Sequence, residues 1–461
     1  MKRDSDAIQP PWFVIATVLS IGSRAVIFAV WQPHPQPVGD RYHSPIRYSG
    51  SMQVALLGFG TVGSSVARIL CDLRPDGLEL AVIFNRGVAR KKVDWVPSSV
   101  LWTEDFDDVL DSGADVIVEL VGGLEPAGTW VRRALEAGKS AVTGNKKLIA
   151  HHGVELDRLA RLSGGHLLYG AAVAGGIPVI PGLTQGFAGD RITRLEGILN
   201  GTCNYILSRM EQGAAFADVL KDAQQLGYAE ADPSEDVDGY DARAKLVILS
   251  RIALRSGLDV DTVACRSISA VDAIDLTYAR DLGCTIRQIS KAEIRPGGVA
   301  AAVGPMLVPL RSPLAWSRST ENMVLVSGQY GGDIVFSGHG AGGNPTAVAV
   351  VSDLISLAHG SRPVDLPSRA VTVSGEFEVR HYIRFVVDDH PGIVAEIAGA
   401  LAAEHINIDA LFQRPGFEKG SLPFVVTVEP CAASALRRAL DRIAHASWLT
   451  QPPLDMPMLG E

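Results

Sequence analysis

One short run restricts the fold more than any other. Val54 to Leu57 is apolar and leads straight into Gly58-Phe59-Gly60-Thr61-Val62-Gly63, after which Val62, Val66, Ile69 and Leu70 recur at helical spacing. Strand, glycine turn and helix in that order open a parallel α/β unit, and each glycine has its own reason to be there. Gly58 permits the tight turn, Gly60 lets the main chain approach a pyrophosphate, and Gly63 lets helix and strand pack closely. The first amides of the helix, at Thr61 and Val62, would meet the phosphates with a partial positive charge. A lone Gly-x-Gly-x-x-Gly says little. Flanked by strand and helix, it predicts a dinucleotide site at Gly58, Gly60, Thr61, Val62 and Gly63.

The next segments repeat the alternation. Leu78 to Phe84 reads as a second strand, and it ends in Asn85-Arg86 where an acid would read the ribose 2′-hydroxyl of NAD. Arg86, with Arg90, Lys91 and Lys92 after it, offers cations to a 2′-phosphate, which favours NADP, with NAD as the alternative. Val116 to Val121 is a buried strand, Pro126 opens a helix to Ala137 with Gly138 as its cap, and Ser140 to Thr143 is a further strand. That strand delivers Gly144-Asn145-Lys146-Lys147 to the carboxyl end of the sheet, where ligands bind in such folds. Residues 52–185 are therefore expected to form a Rossmann-type doubly wound parallel sheet.

Further on, strand-like Ile192 to Leu199 runs into Asn200-Gly201-Thr202-Cys203-Asn204-Tyr205-Ile206-Leu207, a polar cap on a helix. Then comes Gly227-Tyr228-Ala229-Glu230-Ala231-Asp232-Pro233-Ser234-Glu235-Asp236-Val237-Asp238-Gly239-Tyr240-Asp241-Ala242-Arg243-Ala244-Lys245. Tyr240, Ala244, Val247, Ile248 and Ile252 keep helical period, so Asp241 and Lys245 lie one turn apart on one face. Such a pair is ordinarily solvated and contributes only about 0.3–0.5 kcal/mol. Here Glu230, Asp232 and Asp236 crowd the approach, and carboxylates so close repel one another unless cations meet them. A carboxylate cluster holding a lysine can bind an ammonium group and hand over a proton.

These two motifs, in this order, resemble homoserine dehydrogenase, and the resemblance runs from about Met52 to the end of the chain. It implies NADP-dependent interconversion of L-homoserine and L-aspartate 4-semialdehyde, in the pathway to threonine and methionine. By the same resemblance Glu230 and Asp241 hold the substrate ammonium, Asp236 assists, and Lys245 exchanges the proton at the oxygen. Lys146, in a loop the family writes Thr-Ala-Asn-Lys, would contact both cofactor and substrate. Two lysines in one pocket are expected to depress each other's pKa. Tyr169 to Pro178 resembles the family's monovalent-cation loop, in which main-chain carbonyls at Val173, Gly175 and Ile177 hold sodium. Gly170 stands where the family has a glutamate, which removes the charged ligand. The turn Gly338 to Thr346, with Gly342, is expected to close over the cofactor.

Residues 186–345 read as an α+β catalytic domain with an open mixed sheet, with strands at Ala300 to Pro309 and Asn322 to Val326 and a helix over Arg280 to Ala292 whose charges are solvated. Residues 346–375 read as a returning helix and linker. From 376 to 461 small elements follow a βαββαβ order that resembles an ACT domain, with Pro391 and Gly392 as its ligand-side turn. That likeness implies a homodimer or homotetramer with threonine as feedback inhibitor, and deleting 376–461 is expected to abolish the inhibition.

A net charge of −9 without a basic stripe argues against nucleic-acid partners. Five cysteines, widely spaced and lacking a Cys-x-x-Cys pair, suit a reducing cytoplasm. Residues 12–31 are apolar enough to suggest a membrane span, but Arg24 in the middle costs about 2.5–3.5 kcal/mol. Gln32 to Ser51 reads as disordered, and translation is expected to start at or near Met52, leaving residues 1–51 as an extension. The competing function is a non-catalytic NADP- and amino-acid-sensing regulatory protein, which would have no need of Glu230, Asp241 and Lys245 together.

Overall fold

A computed structural model describes residues 17–21, 24–28, 51–360 and 369–460. The chain divides into residues 1–49 and 50–461. In the first unit Thr17–Ile21 pairs antiparallel with Arg24–Phe28. Residues 32–50 lie outside the described residues, as does most of the expected linker, 361–368. Among the described residues no helix is long and apolar enough to cross a membrane.

The second unit begins with the parallel sheet. Its strands are β1 (Met52–Leu57), β2 (Leu78–Phe84), β3 (Leu101–Thr103), β4 (Val116–Glu119), β5 (Ser140–Thr143) and β6 (Leu167–Leu168), in the spatial order β3-β2-β1-β4-β5-β6. This is the doubly wound order, in which the chain reverses direction between β1 and β4 and opens a crevice there. Val54, Ala55, Leu56 and Leu57 are fully buried because helices cover both faces, which is why the strands read as unbroken apolar runs. Helix α1 (Thr61–Leu73) starts at the crevice, α2 (Ala127–Glu136) connects β4 to β5, and α3 (Lys146–Ser163) leaves β5.

The second sheet is mixed. Around β7 (Ile192–Ile198) stand β8 (Cys284–Arg295), β9 (Gly298–Pro309), β10 (Glu321–Gly328) and β11 (Gly332–His339), in the order β9-β8-β7-β10-β11, mutually antiparallel. Ala264–Cys265 and Val373–Ser374 add to β9 in parallel. Helices α4 (Gly201–Met210), α5 (Phe216–Gln225), α6 (Tyr240–Ala253) and α7 (Ala273–Asp281) precede β8, and α8 (Gly343–Ala358) returns to pack Ala347, Val350 and Leu354 against Val66 and Leu70 of α1. The expected helix at Arg280 to Ala292 is corrected here: α7 ends at Asp281, Gly283 follows at φ +68°, and β8 begins at Cys284. Cys284 to Ala292 is buried at every position, so strand alternation is hidden in the sequence. Its charges are not solvated either. Arg287 is 2% exposed and pairs with Glu211 at 3.1 Å, while Lys291, 6% exposed, pairs with Glu196 at 2.9 Å.

The C-terminal module is an antiparallel sheet in the order β13-β14-β12-β15, built from β12 (Glu378–Val387), β13 (Ile408–Gln413), β14 (Leu422–Ala432) and β15 (Leu449–Pro457). Helices α9 (Ile393–Ala402) and α10 (Ala433–Ile443) cover one face through Ile393, Ile397, Leu436 and Ala439. The other face is not free. Tyr382, Val425, Leu454 and Met456 join one apolar core with Leu276, Tyr278, Ala279 and Leu307 of the catalytic half. Tyr382 Oη donates to Asp275 Oδ1 at 2.7 Å, and Arg266 grips both carboxylate oxygens of Asp455 at 2.8 and 2.9 Å.

Candidate active site

Helix α6 lies between the two large sheets, packed on α3 from one side and on β7, β8 and β9 from the other. Gly239 caps it in the left-handed region at φ +88°, and a Cβ there would come within 3.0 Å of Val303, so glycine lets the helix start against the sheet. Asp241 in the first turn is 5% exposed. Its Oδ2 accepts from Lys245 Nζ at 2.7 Å and its Oδ1 from Lys146 Nζ at 2.7 Å. Lys245 also donates to the Leu199 carbonyl at 2.7 Å, leaving one of its three N–H donors. Lys146 opens α3 at the carboxyl end of β5, so Asp241 ties both lysines to the edge of the parallel sheet where α1 also begins.

Asn200 completes the cluster. Its Oδ1 caps α4 at the Cys203 amide, 2.8 Å away, while its Nδ2 donates to Asp236 Oδ1 at 2.6 Å and Asp241 Oδ2 at 2.9 Å. Burial raises Asp236, although Asn200 works against it. At Asp241 burial also opposes ionisation, but Lys245 and Lys146 outweigh it and hold the carboxyl well below its usual range. For Lys146, burial lowers the pKa and Asp241 more than compensates, so it is raised. The expectation that two lysines depress each other therefore fails at Lys146, because a carboxylate sits between them. Glu230 is not in the cluster: its side chain is exposed and its carbonyl accepts from Gln224 at 3.0 Å. Asp232 is likewise exposed and accepts from the Ser234 amide at 3.1 Å.

In the glycine turn, Gly63 and Gly60 sit in opposite surroundings. A Cβ on Gly63 would lie 2.0 Å from the Gly58 carbonyl oxygen, whereas a Cβ on Gly60 would meet nothing within 4 Å. The first forces close packing of turn and helix, and the second leaves the approach to the α1 N-terminus open to a phosphate. Asn85 Oδ1 accepts from the Phe59 amide at 2.9 Å and steadies the turn, with Arg86 exposed beside it. The turn before α8 meets α1: a Cβ on Gly343 would come within 3.0 Å of Thr61 and Ser65, with Gly342 as the cap of α8. These residues fit a dinucleotide.

Comparison with known proteins agrees with this geometry. The homoserine dehydrogenase profile matches residues 178–355, its NAD-binding domain matches 58–170, and the ACT domain matches 381–444. A homoserine dehydrogenase of Synechocystis is 37% identical over 428 residues, covering 87% of this chain and 98% of that protein. The chain belongs to the homoserine dehydrogenase family. It is accordingly an oxidoreductase with a nicotinamide-cofactor domain. Among solved structures, the homoserine dehydrogenase of Thiobacillus denitrificans superposes with a TM-score of 0.82 at 33% identity, covering 89% of this chain and 99% of that one. A hyperthermophilic archaeal homoserine dehydrogenase in complex with NADPH gives a TM-score of 0.58 at 26% identity, covering 68% and 99%.

The segment expected to hold a cation is tightly packed. Gly175, at φ +55°, is pressed against Gly340, where a Cβ would come within 2.6 Å, and the Ile177 carbonyl already accepts from the Val179 amide at 2.7 Å. Val173 is buried beside them. Opposite Gly170 stands a carboxylate the sequence did not announce: Asp353 of α8 accepts from the Gly170 amide at 2.8 Å, and a Cβ on Gly170 would come within 2.9 Å of its oxygens. Burial pushes the Asp353 carboxyl up to about 7 from an ordinary 3.8. Between those values the unfolded chain binds fewer protons than the folded one, so this group lowers stability as pH rises from about 4 to about 7. Asp353→Asn is expected to remove that slope, giving a melting temperature that gains on the parent towards pH 7; equal slopes in the two proteins would refute it.

Asn322 also went unread. It is 1% exposed and donates to the same Leu199 carbonyl that receives Lys245, at 3.0 Å. Its only local signal was a place in a strand, because its partner lies more than a hundred positions away in the chain.

Proposed function

We propose that the chain interconverts L-homoserine and L-aspartate 4-semialdehyde with NADP(H). The observation that carries this reading is one buried carboxylate, Asp241, gripped on its two oxygens by Lys245 and Lys146. Gly58, Gly60, Thr61, Val62 and Gly63, with Gly342 opposite, would hold the dinucleotide, and Arg86 its 2′-phosphate. Bound there, the nicotinamide supplies or accepts the hydride. Lys245 presents its remaining N–H to the substrate oxygen, gives it a proton as the alcohol forms and takes one back in the other direction. Its ammonium, with that of Lys146, stabilises negative charge growing on that oxygen. Asp241 and the Leu199 carbonyl fix the direction in which Lys245 points.

The substrate ammonium falls to Asp236 and Asp241, and Glu230, exposed in the adjoining loop, joins them on the family likeness alone. Glu230→Gln is expected to raise KM for homoserine about tenfold with little change in kcat, the effect of a lost charge-assisted hydrogen bond. An unchanged KM removes Glu230 from the site. The turn at Pro391 and Gly392 opens α9 and suits a carboxylate, which supports threonine as inhibitor of a homodimer or homotetramer. A sodium ion at the carbonyls of Val173, Gly175 and Ile177 is part of the same reading, with Asp353 as the carboxylate nearest Gly170. All five cysteines are free, in keeping with the cytoplasm.

The assay that tests this follows NADPH and NADH oxidation with aspartate semialdehyde, with and without threonine, under sodium or potassium. Turnover with preference for NADPH is expected, and binding of NADPH without turnover would favour the sensing protein instead.

A further inference from the structure

Helices α3 and α6 belong to different halves of the molecule. The first leaves β5 of the parallel sheet with Lys146 in its opening turn, and the second carries Asp241 and Lys245 against the mixed sheet. Hydride comes from the cofactor half and the proton from the other, so the spacing of these two helices decides whether both reach one substrate together. Lys146 and Asp241 join the helices at their starts, at 2.7 Å. That contact belongs to the cluster it would have to hold still. A second, drier contact lies about three turns further along both helices.

Its centre is Arg251, in the last turn of α6 and 7% exposed. Nη2 lies 3.1 Å from Asp157 Oδ2 of α3 and donates to Tyr169 Oη at 2.6 Å, while the guanidinium stands over the Tyr169 ring, 5.1 Å from its centroid. The Tyr169 hydroxyl hydrogen-bonds Asp157 in turn. Burial, with Asp157, pushes that hydroxyl up to about 12, so it keeps its proton at neutral pH. Helix α3 is shaped to receive the guanidinium. A Cβ on Gly153 would lie 2.3 Å from Arg251 Nη1 and 3.0 Å from Cζ. Glycine inside a helix is disfavoured relative to alanine, and here the bare position is the room Arg251 occupies.

We propose that Arg251 is a positioning residue for the reaction, holding α6 against α3 at the spacing that lets Lys245 and the cofactor act on the same substrate. This rests on Lys245 as the proton donor. The side-chain bonds of Arg251 go to Tyr169 and Asp157, about three turns from Asp241, so it acts through the helices and not on the substrate. Tyr169 directly precedes Gly170, so the clamp also pins the start of the segment that presses Gly175 on Gly340. A guanidinium stacked on a ring and bonded at its edge is not reproduced by an ammonium.

The test compares Arg251→Met, Arg251→Lys and Gly153→Ala with the parent, all as the full chain. It records kcat, KM, the dissociation constant for NADPH, the melting temperature and the primary isotope effect with 4-deuterated NADPH. In Arg251→Met kcat is expected to fall about 10–10²-fold, the cost of a small misplacement far from the chemistry, with NADPH affinity unchanged. Arg251→Lys keeps a cation for Asp157 and should fall between parent and Arg251→Met. Gly153→Ala improves the helix former yet displaces the guanidinium, so kcat should drop about tenfold. The isotope effect should rise in each, as a misaligned hydride step comes to limit the rate. The inference is overturned if Arg251→Met and Gly153→Ala keep the parent's kcat and isotope effect, even at a lower melting temperature, or if the loss lies in NADPH binding alone. Should Arg251→Met not fold, Gly153→Ala decides on the same readouts. A parent chain without turnover would overturn the reaction and this assignment together, whereas an active parent with unaltered variants overturns this assignment only.

Discussion

Lys245→Ala is expected to lower kcat by about 10²–10⁴-fold, the range lost with a positioned acid or base. Cofactor binding should survive, because the hydrogen bonds of this side chain go to Asp241 and the Leu199 carbonyl and not to the glycine turn. Lys146 stays bonded to Asp241 Oδ1, so the variant keeps one cation in the pocket but has no proton donor braced by the Leu199 carbonyl. Fluorescence titration of NADPH would give the dissociation constant and stopped-flow the rate. A kcat close to that of the parent chain would remove Lys245 from the chemistry.

Asp241→Asn attacks the same cluster from its centre and is expected to damage both stability and rate. It leaves two ammonium groups facing one neutral amide, and breaking a buried ion pair by removing one partner typically costs about 3–5 kcal/mol. The lower end applies here, since the Lys146 side chain is 37% exposed and water screens its part. The sign with pH follows from the lowered carboxyl. Its contribution is fully present above the unfolded value of 3.8 and is lost as pH falls further, so parent and variant should differ at neutral pH and converge only in strong acid. Calorimetry across pH, with the double variant Asp241→Asn/Lys245→Ala as control for coupling, measures this. Equal melting temperatures at neutral pH would show the carboxylate to be dispensable.

How far the sequence could be read depended on whether a residue's partners were close to it in the chain. The glycine turn was legible because Gly58 and Gly63 constrain each other five positions apart, and the start of α6 because Asp241 and Lys245 share one turn. Asn200 was legible as a helix cap, but not as the side chain joining Asp236 to Asp241, since that bridge spans the whole α4–α5 hairpin. Cys284 to Ala292 misled for the opposite reason. In a strand buried on both faces, Arg287 and Lys291 look like the polar side of a helix until Glu211 and Glu196 arrive from elsewhere. Glu230 lies beside the right motif, yet its exposed loop does not bring it to the lysines. Asp353 had no signal near Gly170 at all, since it comes from the returning helix.

The apolar core shared by Tyr382, Val425 and Met456 with Tyr278 and Leu307 bears on how control could be separated from catalysis. Cutting the chain at 375 would lay that surface bare and strand the Asp275 carboxylate beneath it, so loss of inhibition after truncation would be hard to tell from loss of the enzyme. Single substitutions that spare this seam, rather than truncation, would part a regulatory role of the module from the chemistry beneath it.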